Sequence, residues 1–231
     1  MAASGLRRDV PFSAFYAWAS AAAGEEVPLA GIASKVGRTY SALAEARKLD
    51  VIEGRLVVQY AREVGRSPLE ALAESLDMAE LRTSPQPSLT ETLSQVPYGL
   101  LLEEVAARMG GAPSRSPMPV GGTSASRWVD ALCEMSGGTI TALAPAVGME
   151  YRGFQSKRAR DRFMPTELHA VCRETGGTLQ VGLVAQGWLT WDETKLPPRG
   201  REEAMQEWPS ADMFAWLERS AAEMRRAEAK K

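Results

Sequence analysis

An internal repeat constrains this chain more than any other feature of its sequence. The stretch "KVGRTYSALAEARKLD" at 35–50 returns as "AVGMEYRGFQSKRARD" at 146–161, displaced by 111 positions. The displacement holds without a gap from 28 to 72. Identities fall at Ala33/Ala144, Val36/Val147, Gly37/Gly148, Tyr40/Tyr151, Arg47/Arg158, Asp50/Asp161, Arg62/Arg173, Glu63/Glu174, Gly65/Gly176 and Leu72/Leu183. One residue of slippage also sets Trp18 against Trp128. A chain of 231 residues is long enough for two small cores, so the repeat predicts two related modules.

Helical spacing of apolar residues dominates, and no alternating run invites a sheet, which predicts an all-α fold. The first module spans 1–82, with turns expected at Gly24, Gly37, Gly54 and Gly65. "RTSPQPS" then breaks the pattern, and a linker over 83–123 follows. Within the linker a helix is expected at about 89–109, kinked near Pro97, ahead of a flexible "GGAPSRSPMPVGG". The second module spans 124–231 and closes with a helix whose apolar face holds Met213, Phe214, Leu217, Ala221 and Met224.

The repeated unit reads as a helix-turn-helix. Ile32, Val36 and Leu43 pin two helices together, Ala33 lets them cross closely, and Gly37 supplies a left-handed turn. Leu143, Ala144, Val147, Gly148 and Phe154 repeat these roles. Pro145 departs from the pattern, since it falls inside the first helix of the second unit and marks that unit as divergent.

In such a unit the second helix enters a DNA major groove with its first turn facing base edges. The outward candidates of the first unit are Thr39, Tyr40, Ser41 and Glu45, with Lys35, Arg38, Arg47 and Lys48 set for phosphates. Those of the second are Glu150, Tyr151, Arg152, Gln155 and Ser156. Arg152 has the donors to bridge guanine O6 and N7, and Gln155 those to pair with adenine. Lys157, Arg158, Arg160 and Arg162 form the densest basic run, "SKRARDR", expected to follow the phosphates. Arg7 and Arg8 are placed to act as an arm into a neighbouring groove.

Other functions find little footing. The net charge is −2, so nucleic-acid binding must rest on local charge. Cys133 and Cys172 show neither pairing pattern nor metal-ligand spacing and suit a reducing cytosol as small buried groups. His169 is the only histidine and is expected to be structural. Without a metal cluster, a phosphate-binding glycine loop or a nucleophile motif, neither an enzyme nor a cofactor is expected. The six tryptophans are expected in the core. "GLRRDVPFSAFYAWASAAAG" loosely resembles a secretion signal, but Asp9, Ser13 and Ser20 interrupt it, and the repeat needs its helix. No stretch approaches the ~20 apolar residues of a membrane span.

The stretch "PLAGIASKVGRTYSALAEARKLDVIEGRLVVQYAREVGRSPLEALAE", with a linker helix and a second helical module after it, resembles the immunity repressors of temperate mycobacteriophages that bind asymmetric stoperator sites. The first unit is also similar to the wider lambda-repressor-like group. The resemblance implies a monomer in the bacterial cytoplasm that represses phage transcription, maintains lysogeny and gives superinfection immunity, with both modules on double-stranded DNA. The alternative is a helical adaptor that regulates transcription through protein partners.

Overall fold

Five short helices build the first unit: α1 (Phe12–Ala23), α2 (Leu29–Lys35), α3 (Tyr40–Leu49), α4 (Gly54–Glu63) and α5 (Pro68–Ser75). The computed structural model describes residues 10–111 and 116–218, so the expected arm at Arg7 and Arg8 lies outside the described residues, as do Ala221 and Met224. Local chemistry sets the helix starts. The Thr39 hydroxyl accepts the Ala42 N–H at 3.3 Å, and the Ser67 hydroxyl accepts the Glu70 N–H at 3.3 Å ahead of Pro68. A 3-10 turn, Ala79–Arg82, ends the unit. The only departure from helix among the described residues' regular structure is a single antiparallel bridge between Val10 and Ile52, so the fold is all-α.

The same order recurs after α6 (Leu89–Ser94) and α7 (Tyr98–Arg108). Here α8 (Ala125–Ser136), α9 (Ile140–Ala146), α10 (Tyr151–Ala159), α11 (Pro165–Thr175) and α12 (Leu179–Ala185) repeat α1 to α5. The paired glycines at the turns, Gly37 at φ 62° and Gly148 at φ 72°, adopt the left-handed conformation expected of them. Pro145 is accommodated within α9, one residue from its end. The identity Asp50/Asp161 also acquires a reason. Both are left-handed, at φ 51° and 50°, and each Oδ1 accepts a backbone N–H at the start of its unit's first helix, from Ser13 at 2.7 Å and Ala125 at 2.8 Å. Aspartate tolerates this backbone region better than most residues and its carboxylate ties the two ends of the motif together.

Two sequence expectations need correction. Gly54 is not a turn; Asp50 makes the turn, and Gly54 opens α4 because a Cβ there would stand 2.2 Å from the Trp188 ring. The register of Trp18 on Trp128 is also wrong. Helices α1 and α8 end on left-handed Gly24 and Gly137, and their buried faces match as Phe12, Phe15, Trp18 and Ala19 against Ala125, Trp128, Ala131 and Leu132. Phe15 is therefore the counterpart of Trp128. The loop before α2 (residues 24–28) is two residues longer than that before α9 (residues 137–139), so the displacement is 113 in the first helix of each unit and 111 after the loop.

The helix expected at about 89–109 and kinked near Pro97 is two helices that part at that proline, and the described end of the stretch after them is anchored instead of flexible. Pro97 separates α6 from α7, and α6 packs on α8 and on α13 (Gly200–Glu207). Glu91 of α6 is buried and its Oε1 accepts from Trp128 Nε1 at 2.9 Å and from the Thr178 N–H at 2.8 Å. Three successive carbonyls in the stretch 116–123 are hydrogen-bonded to the second unit and the helix after it. Arg201 donates to the Pro119 and Gly121 carbonyls at 2.6 and 2.8 Å, and the Trp191 N–H donates to Val120 at 2.7 Å. Thr123 donates its hydroxyl to Ser94 O at 2.7 Å. These bonds anchor the second half of the glycine- and proline-rich stretch.

One hydrophobic core runs through both units, from Val10 to Leu196. A smaller one joins Val96, Leu100, Leu101 and Val105 to Trp208 and to Met213 on a helix over 210–218. Phe214 does not share that face and is 42% exposed. Cys133 and Cys172 are buried and unpaired, as their spacing predicts, and burial pushes the Cys172 thiol well above its ordinary range. No helix among the described residues is long and apolar enough to cross a membrane.

Candidate nucleic-acid interface

The two turn-and-helix pairs, α2–α3 and α9–α10, place their second helices on the outside of the molecule. Each is held by one deeply buried aromatic or aliphatic residue, Leu43 in α3 and Phe154 in α10, the latter edge-on to Phe163 with centroids 5.1 Å apart. Ala33 and Ala144 are buried at the crossings beneath them. The opposite faces point to solvent. Tyr40 is 61% exposed and Tyr151 45%, so both conserve an aromatic ring at the first turn without packing it into the core.

On α3 the exposed candidates are Tyr40, Ser41, Glu45 and Lys48, with Lys35 on α2 and Arg38 in the turn. Several are already engaged. Thr39 is the N-cap, its hydroxyl accepting the Ala42 N–H and lying 3.1 Å from Ser41 Oγ, so its part is to start the helix. Arg38 pairs with Glu53 at 3.3 Å, both well exposed, and Lys48 stands 4.0 Å from Glu45. Such surface pairs are worth little and open readily. Arg47 lies over the Tyr16 ring, 5.5 Å from its centroid.

On α10 the structure divides the basic run that the sequence presents as one. Lys157 is paired with Glu167, a buried carboxylate that also accepts the Met164 N–H at 2.9 Å. Arg158 is paired with Asp130 on α8 and donates to Gln155 Oε1 at 3.2 Å. These two cations tie α10 to its neighbouring helices, engagements that the run expected to follow phosphates does not announce. A helix turns its residues through 100° steps, so Lys157 and Arg158 reach different neighbours, while Arg160 is the C-cap of α10 and Arg162 follows the left-handed Asp161 beyond it. Arg160 and Arg162 are exposed, and together with Arg152 they make no side-chain hydrogen bond or ion pair among the described residues. Gln155 is half-buried and donates to the Tyr151 hydroxyl at 3.0 Å, which orients the ring across the helix face. Glu150 and Ser156 are exposed.

Sequence reasoning passed over Gly153. It lies inside α10 on the exposed side, with nothing within 4 Å of where a Cβ would stand. A helix-interior glycine costs about 1 kcal/mol relative to alanine, and here it leaves a flat spot between Arg152 and Ser156 where another backbone can approach closely. The local signal was a glycine with no turn to make.

What the arrangement offers chemically is two exposed helix faces of different composition. One presents Tyr40, Ser41, Glu45 and Lys48, the other Glu150, Tyr151, Arg152 and Ser156 with Arg160 and Arg162 alongside. His169 is not among them; its Nε2 lies 2.8 Å from Glu80 Oε1, between the two units. Comparison with known proteins finds no matching family model, no matching curated protein and no matching solved structure.

Proposed function

We propose that the protein is a sequence-specific, double-stranded DNA-binding transcriptional repressor that engages DNA as a monomer through α3 and α10. The observation that carries this reading is the duplicated turn-and-helix whose outer faces are exposed, polar and different from each other. Packing alone requires only the buried positions to persist, yet Tyr40 and Tyr151 persist at exposed ones. Arg152, free of internal partners and in the first turn of α10, has the donors for a guanine edge, and Arg160 and Arg162 have the charge for phosphates. The likeness of the first unit to temperate-phage immunity repressors fits a role in lysogeny and superinfection immunity inside the bacterial host.

Selection of bound duplexes from a randomised pool by the full chain tests this. A defined consensus is expected, with affinity falling steeply between about 50 and 200 mM salt. No enrichment, or binding indifferent to salt, would overturn it and favour a helical adaptor that acts on protein partners.

A further inference from the structure

The contacts between the two five-helix units are reciprocal. The segment that follows α12 lies on α4 and α5: the Trp188 ring covers Gly54, Arg62 donates to Trp188 O at 3.2 Å and to both Glu193 carboxylate oxygens at 2.6 and 2.7 Å, and Lys195 reaches Glu70 at 2.9 Å. The segment that follows α5 lies on α11 and α12: Glu80 meets His169 at 2.8 Å, and Gln180 donates to the Glu80, Leu81 and Thr83 carbonyls at 3.2 to 3.3 Å. Since α4 and α5 correspond to α11 and α12, each unit offers the same patch to the other. An exchange in which equivalent patches meet is the mark of a two-fold relation, whereas a head-to-tail array pairs different patches. The shared core and the buried Trp188 hold the two units against each other.

We infer that the chain is an internal pseudo-dimer, and that its DNA ligand is a pair of half-sites in inverted orientation at one fixed spacing, with different base sequences because α3 and α10 differ. The inference rests on the DNA reading proposed above. It departs from a tethered pair of readers, which would accept direct or inverted half-sites and several spacings. It also fits the bonds between the units described above, none of which uses α3 or α10: they lie on the fourth and fifth helices of each unit and the segments that follow them.

The test uses the duplex selected by the full chain. Inserting 5 bp between its half-sites, inserting 10 bp, or reversing one half-site should each lower affinity by about 10²- to 10⁴-fold, the advantage of joined engagement. Retained affinity with 10 bp inserted, or with one half-site reversed, overturns the inference while leaving DNA binding intact. A second arm needs no DNA. Spin labels on Ala17→Cys and Glu174→Cys, exposed positions on α1 and α11 away from both reading faces, should give one narrow distance distribution in the free protein, unchanged on binding; the native thiols are buried. A broad distribution overturns the inference whatever the DNA result. A narrow distribution with no duplex selected overturns the DNA reading instead.

Discussion

Single residues divide into those the fold consumes and those it leaves free, and the division is visible only in three dimensions. Arg152 and Lys157 look alike on the chain, yet one is unpartnered and the other neutralises a buried carboxylate. Arg152→Ala is therefore expected to leave stability unchanged and to weaken binding to the selected duplex by about 1–3 kcal/mol with relaxed preference at one base pair. Titration against the selected duplex and its single-base variants checks this; equal loss on specific and random DNA would contradict direct readout. Lys157→Ala should act oppositely, costing about 1–3 kcal/mol of folding stability because Glu167 is left buried without its cation. Gly54→Ala should destabilise by a similar amount, since the new methyl would stand 2.2 Å from the buried Trp188 ring and force one of them to shift. Urea denaturation distinguishes both from Arg152→Ala. The turn glycines and buried Leu43 and Phe154 were legible from the sequence, because helix-turn-helix spacing names them directly. The fate of "SKRARDR" was not, because the partners Asp130 and Glu167 come from other helices.

At the level of elements, α6 shows what a sequence pattern leaves open. Its place after a proline-rich break suggested a spacer, but Glu91 anchors it inside the second unit by accepting from Trp128 and Thr178. Burial raises the Glu91 carboxyl above the usual carboxylate range against the pull of those hydrogen bonds. An acid whose folded pKa is raised contributes its full stability below its ordinary pKa and loses it as pH rises through the raised value. Glu91→Gln keeps an acceptor and removes the charge, so it should equal or exceed the parent in stability at pH 7 and gain nothing at pH 4. Glu91→Ala orphans two buried donors and should cost about 1–3 kcal/mol for each. Denaturation midpoints at the two pH values separate these outcomes. Helix existence was legible in the apolar periodicity and the Ser/Thr caps; which helices belong together was not, since an amphipathic face does not name its partner.

For the molecule as a whole, the repeat announced two units but gave no account of how they meet. The pairing surface includes Gly54, Arg62, Glu70, Glu80, His169, Gln180, Trp188, Glu193 and Lys195, residues whose spacing carries no motif. Glu193 is pushed up by burial, but the Arg62 guanidinium and the Thr190 N–H outweigh this and hold it below the usual carboxylate range. An acid with a depressed folded pKa contributes above its ordinary pKa, and the contribution fades as pH falls through the folded value. Arg62→Ala should thus cost about 0.5–1 kcal/mol at pH 7, the figure being small because the Arg62 side chain is 45% exposed, and the gap from the parent should close in acid. A gap that persists below the titration of Glu193 would show that Arg62 acts through its bond to Trp188 O alone.

The central claim is that one chain reads DNA with two helices at once. Amide hydrogen exchange of the full chain, alone and with the duplex it selects, tests that most directly, because protection reports which helices become covered. The account predicts new protection in the first turns of both α3 and α10 in a complex of one chain per duplex, with the surface between the units unchanged. Protection confined to one of these helices, or two chains on each duplex with one helix apiece, would contradict it.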